Sequence, residues 1–189
     1  ASTQPLAHSF VITEAEQTFK AVLDYFSIQH FVILGHSVGG GMSVAIAAAY
    51  PERCQGLISI SAQYAVEALT LKGISEAKIG FQQAGQMERL ERYHPEKAQW
   101  VLDAWTETWL SPAFQDWNLA RVIDGVCCPT LIIHGELDEY GSTGQPQQIF
   151  EGVSGQAELH ILEDLHHMPH KEQPELVVAL IAEFHQAHC

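Results

Sequence analysis

The pentapeptide Gly35-His36-Ser37-Val38-Gly39 constrains this chain more than any other feature. An apolar run, Phe31-Val32-Ile33-Leu34, leads directly into it. An Ala- and Gly-rich stretch from Val38 to Tyr50 leads out and is stopped by Pro51. A short run that is apolar on both faces reads as a strand of a parallel sheet. The stretch after it reads as a helix that ends before its proline. The pattern is strand, sharp turn and helix, with a serine at the apex. Glycines on both sides permit the turn and let the helix pack closely on the strand, which lifts the serine hydroxyl clear of the sheet. The helix N-terminus adds partial positive charge beside it.

The rest of the chain supplies a matching frame. Leu57-Ile58-Ser59-Ile60 and Thr130-Leu131-Ile132-Ile133 read as further parallel strands, and the more mixed Leu159-His160-Ile161-Leu162 as an edge strand. Thr13 and Glu16 stand at capping-box spacing and predict a helix from Thr13 to about Ile28. Gln145 to Phe150 predicts a short helix, and apolar spacing predicts another from Pro174 to His188. Strands alternating with helices give an α/β fold, a mostly parallel sheet flanked by helices. Residues 65–125 break the rhythm: they hold no strand-like run, they carry all four tryptophans (100, 105, 109 and 117), and Pro95 is placed to open a helix reaching Leu110. The expected organisation is a core from 1–64 and 126–189, interrupted by a helical cap or lid at 65–125.

A serine at such a turn becomes a nucleophile only with a base, and the base needs an orienting carboxylate. Asp138 sits just past the Thr130–Ile133 run, with Glu136 and Glu139 as rivals. After Leu162 three histidines compete, His166, His167 and His170, while His36 and His134 lie at strand ends already used for other roles. His166 and His170 have the spacing of a metal pair, but Pro169 between them prevents a regular helix from presenting both on one face. No metal and no organic cofactor is expected.

Nine Lys and Arg against twenty-three Asp and Glu give a formal net charge of -14. A surface that acidic repels phosphate backbones and anionic lipid, so no nucleic-acid or membrane partner is expected. No apolar run approaches the roughly 18 residues that a spanning helix needs. Cys54, Cys127, Cys128 and Cys189 show no CxxC spacing and read as small buried apolar residues, which favours a reducing, cytoplasmic compartment.

These segments together resemble the α/β-hydrolase superfamily. Phe31 to Gly40 is similar to its strand and elbow, Tyr50-Pro51-Glu52-Arg53 to its helix end, and Pro129 to Asp138 to its acid strand. His167-Met168-Pro169-His170-Lys171-Glu172-Gln173-Pro174 is similar to its pattern of His, then x-Pro, then Glu-x-Pro. The resemblance implies a capped serine esterase-like hydrolase with Ser37 as nucleophile, Asp138 as acid, His167 as base and the Val38 N–H as one oxyanion donor. His166 stands where the family usually has glycine and is the second candidate base; Glu172 is implied to be structural. His36, Trp105 and Trp109 are the candidate substrate-binding residues.

A serine rather than an aspartate at the elbow points to acyl chemistry on a small apolar carboxylic ester. The alternatives are a carbon–carbon hydrolase, a menaquinone-pathway synthase-like lyase with the same triad, or a non-catalytic ligand-binding or scaffold member. The family usually begins with further N-terminal strands and a His-Gly segment that completes the oxyanion hole. Here Ala1-Ser2-Thr3-Gln4-Pro5 resembles the tail of the segment that follows those strands. The expectation is a fragment or a naturally short form, whose Phe31–Leu34 strand becomes a sheet edge. Such a chain forms a homo-oligomer or associates with the missing N-terminal segment.

Overall fold

The computed structural model describes residues 6–188; Ala1 to Pro5, and with them the family-like tail, lie outside the described residues, as does Cys189. Four strands form one parallel sheet in the order β1 (Phe31–His36), β2 (Cys54–Ile60), β3 (Thr130–Gly135), β4 (Ala157–Leu162). Each extends its predicted apolar run by two or three residues, because ladder pairing continues where side-chain patterning has stopped. β3, paired on both sides, is buried along its whole length. Full burial of Leu131, Ile132 and Ile133 contributes about 1.5–3 kcal/mol each.

Helices cover both faces. α3 (Val38–Ala49) and α7 (Gly144–Gly152) pack Val44, Ala47 and Ile149 against Leu57 and Ile132. On the other face α9 (Pro174–His188) packs Val177 and Phe184 against Ile58, Ile60, Leu131 and Ile133. The short α8 (Pro169–Glu172) precedes it. β1 is left at the edge, and Val32 and Leu34, in register with Gly56 and Ile58, remain 36% and 51% exposed.

The N-terminal helix differs from its prediction. It starts at Phe10 and runs through α1 (Phe10–Thr13), a π turn (Glu14–Thr18) and α2 (Phe19–Tyr25) without interruption. Thr13 is helical rather than capping; its hydroxyl meets that of Ser9 at 3.2 Å. Burial of Phe10, Val11 and Ala15 in a cluster with Ala45, Ile46 and Phe114 extends the helix upstream of the capping signal. Ser27, at φ 54°, ends it before Ile28, whose N–H reaches back to the Leu23 carbonyl at 3.0 Å.

Between β2 and β3 lie α4 (Ala68–Gly80), α5 (Gln86–Glu91) and α6 (Ala98–Trp109). α6 begins three residues later than Pro95 suggests, because a turn from His94 to Lys97 holds the proline outside the helix. Cys54 and Cys128 are buried with sulfurs 3.6 Å apart, but Cys127 is exposed, contrary to the reading of it as a core residue. Its neighbour takes the inward position, and adjacent residues of extended backbone point to opposite sides. Among the described residues, no helix is long and apolar enough to cross a membrane.

Candidate active site

Ser37 occupies the junction between β1 and α3 at φ 57°, ψ -127°, a strained conformation for a residue with a side chain. Its N–H is tied to the Ile60 carbonyl at 2.9 Å. A Cβ at Gly35 would lie 2.0 Å from the Gly39 carbonyl oxygen, so only glycine lets α3 cross the strand this closely. Val38 opens α3, and its N–H is one of the donors that a helix leaves without an internal partner.

The loops after β3 and β4 are laced together. Glu136 N–H donates to the Leu162 carbonyl at 2.9 Å and Leu137 N–H to that of Leu165 at 2.8 Å. They approach so closely that a Cβ at Gly135 would meet the His166 oxygen at 2.2 Å. This lacing sets Asp138 beside His167. One Asp138 oxygen accepts the N–H groups of Tyr140 (2.8 Å) and Gly141 (3.2 Å); the other accepts His167 Nδ1–H at 2.8 Å. With Nδ1 protonated toward the carboxylate, His167 Nε2 is the acceptor for the Ser37 hydroxyl, 2.9 Å away.

The rival residues go elsewhere. His166 is exposed and binds Glu172 through its backbone N–H and, at 3.1 Å, through Nδ1; its backbone N–H in particular holds the Glu172 carboxyl below the usual range. Glu136 is exposed, and Glu139 accepts the His167 backbone N–H at 3.3 Å. His134 is buried and gives Nε2–H to the Gly141 carbonyl at 2.9 Å; burial pushes its pKa down. His36 lines the site, but its Nε2–H is spent on the His167 carbonyl at 2.8 Å, and burial lowers its pKa to about 4. Its ring lies 4.6 Å from that of His170. Among the described residues, no group of three or more His, Cys, Asp or Glu is arranged to hold a metal ion.

A cavity of about 380 Å³ opens onto Ser37 and His167, with Trp105 and Trp109 in its wall. Gln63, Thr70, Ile74, Tyr140 and Met168 line it as well and escaped the reading of the sequence. Tyr140 packs its ring 4.7 Å from that of His167. Its place two residues after Asp138, where an Asx turn reaches, was the available signal. Gln63 follows the end of β2, and in a parallel sheet strand ends after β1 and β2 share one rim with Ser37. Thr70 and Ile74, one turn apart on α4, gave no signal.

The segment between β2 and α4 is fixed to the region that follows β3. Gln145 Oε1 accepts the N–H groups of Tyr64 (2.6 Å) and Ala65 (3.0 Å), while its Nε2 donates to the Ala65 carbonyl. Glu67 accepts from the N–H and hydroxyl of Ser142.

Residues 1–94 match the family model for the alpha/beta hydrolase fold. A meta-cleavage product hydrolase from Pseudomonas fluorescens IP01 superposes with TM-score 0.71 at 20% identity, over 99% of this chain and 74% of that one. A proline iminopeptidase from Mycobacterium smegmatis gives 0.71 at 18% identity, over 98% and 74%. A thermophilic esterase from Thermogutta terrifontis gives 0.63 at 21%, over 95% and 73%. No curated protein sequence matches the chain.

Proposed function

We propose, for a chain that belongs to the α/β-hydrolase superfamily, the hydrolysis of a small apolar carboxylic ester through an acyl-enzyme on Ser37. The observation that carries this is the continuous line Ser37 Oγ, His167 Nε2, His167 Nδ1, Asp138 Oδ2, with steps of 2.9 and 2.8 Å at its two hydrogen bonds.

The geometry supports the following roles. Ser37 Oγ attacks the ester carbonyl as His167 Nε2 takes its proton. The buried Asp138 carboxylate stabilises the imidazolium and keeps the imidazole in the tautomer that can accept that proton. The oxyanion forms next to the Val38 N–H, at the positive end of α3. His167 then protonates the leaving alkoxide, and water, activated by the same histidine, hydrolyses the acyl-enzyme. Trp105 and Trp109 hold the apolar body of the ester.

A fluorophosphonate probe tests the assignment directly. Intact-mass analysis is expected to find one adduct, absent from Ser37→Ala. An adduct that survives the substitution would refute Ser37 as nucleophile. A panel of esters beside a vinylogous diketone sets the reaction: turnover of the diketone alone would replace the ester reading by carbon–carbon hydrolysis.

A further inference from the structure

Most polar groups in the cavity wall are already committed. Ser37 and His167 bind each other, His36 gives its Nε2–H to a carbonyl, and Thr70 Oγ1 accepts the Glu67 N–H at 3.4 Å. Gln63 differs. It is 4% exposed and lines the cavity, and its side-chain amide makes no hydrogen bond among the described residues. Its amide atoms are not among the side-chain atoms sealed from solvent without a partner, so what remains accessible of them lies at the cavity wall, open to a ligand.

The backbone around Gln63 is pinned, so the side chain starts from a fixed point of the wall. Ser61 N–H donates to the Ile133 carbonyl at 2.8 Å. A Cβ on Gly40 would meet that of Ala62 at 2.6 Å, and one on Gly41 would lie 3.4 Å from the Gln63 carbonyl oxygen, so α3 packs directly on this segment. The surrounding wall is mostly apolar and aromatic, with Ile74, Trp105, Trp109 and Met168; the Tyr140 hydroxyl, which also makes no hydrogen bond among the described residues, is a second open polar group.

We propose that Gln63 is a polar subsite in this mostly apolar wall, and that it hydrogen-bonds a neutral oxo or hydroxyl oxygen carried on the body of the substrate, away from the scissile carbonyl. The inference rests on the ester-hydrolase reading and narrows it to esters with a second, uncharged oxygen. An amide offers both a donor and an acceptor, which suits either group. A carboxylate does not fit: among the described residues no Lys or Arg lines the cavity. His36, held neutral by burial with a pKa of about 4, supplies no positive charge either.

Binding to the Ser37→Ala protein tests this without turnover. Methyl hexanoate and its analogues with an oxo group at successive carbons are titrated while the fluorescence of Trp105 and Trp109 is followed. At least one oxo ester is expected to bind about tenfold tighter than the plain ester, the scale of one well-made hydrogen bond. Adding Gln63→Leu should bring that ratio to about one. Gln63→Met, closer in shape, serves if the melting curve shows that the leucine variant does not fold. Equal affinities across the series, or a preference that persists without the amide, overturn the inference. No saturable quenching by any ester, with Ser37 of the parent chain still labelled by fluorophosphonate, overturns it alone. Quenching with the expected preference but no labelling overturns the hydrolase reading instead.

Discussion

At the scale of single residues, the site depends on which of two adjacent histidines turns inward. His167 is buried between Ser37 and Asp138, whereas His166 is exposed and paired with Glu172. If His167 is the base of the proposed hydrolase, its removal leaves only binding and oxyanion stabilisation, so His167→Ala should lower kcat by roughly 10⁴- to 10⁶-fold. Asp138→Asn favours the wrong tautomer and should cost about 10⁴-fold. His166→Ala removes one exposed contact and should stay within about threefold, as surface pairs carry little energy. Steady-state kinetics on folded variants decides this, and a reversal of the two histidine effects would move the base by one residue. Histidine after a late strand was legible in the residue pattern; which of the three reaches Ser37 came only from the family resemblance. The choice depends on the lacing of the β3 and β4 loops at Gly135, a contact between segments about thirty residues apart.

At the scale of elements, β1 is the exposed one. Among the described residues it pairs only with β2, and its outer edge presents backbone N–H and C=O groups beside the half-exposed Val32 and Leu34. Tyr25 and Phe26, near the same edge in sequence, are 82% and 65% exposed. Open apolar edges of this kind are templates for a further strand. The expected outcome is association through β1, with a second copy or with a separate N-terminal segment that supplies a strand. Light scattering across a concentration series measures it, and Val32→Lys with Leu34→Glu should suppress it. A stable monomer at working concentration would contradict the expectation. The edge position was predicted from the family resemblance, while the N-terminal helix shows where local signals failed. Its capping box at Thr13 was outweighed by the burial of Phe10 and Val11 against residues near 45 and 114.

At the scale of the whole molecule, three inward histidines tie stability to pH. Burial pushes His36, His134 and His170 below their ordinary value of 6.5, His36 to about 4. Between about pH 4 and 6.5 the unfolded chain therefore binds protons that the folded chain refuses, so stability rises with pH across that window. Below about pH 4 His36 is protonated in both states and its contribution is gone. Its ring faces His167, His170 and Asp138. Thermal melting from pH 4 to 7 should show a rising midpoint, with a smaller slope in His36→Gln; an unchanged slope would remove His36 from this role. The sequence alone determined what local pattern encodes: parallel strands, because buried strands are apolar on both faces, the serine turn between glycines, and the order of serine, carboxylate and histidine along the chain. Tertiary structure decided what depends on distant segments meeting: the contact that brings His167 to Ser37, where the segment after β2 is fastened by Gln145 and Glu67, and which side chains, Gln63 and Tyr140 among them, close the cavity. The division has one physical cause. Periodicity and turn chemistry act over a few residues, whereas a cavity is made by segments that only the folded chain brings together.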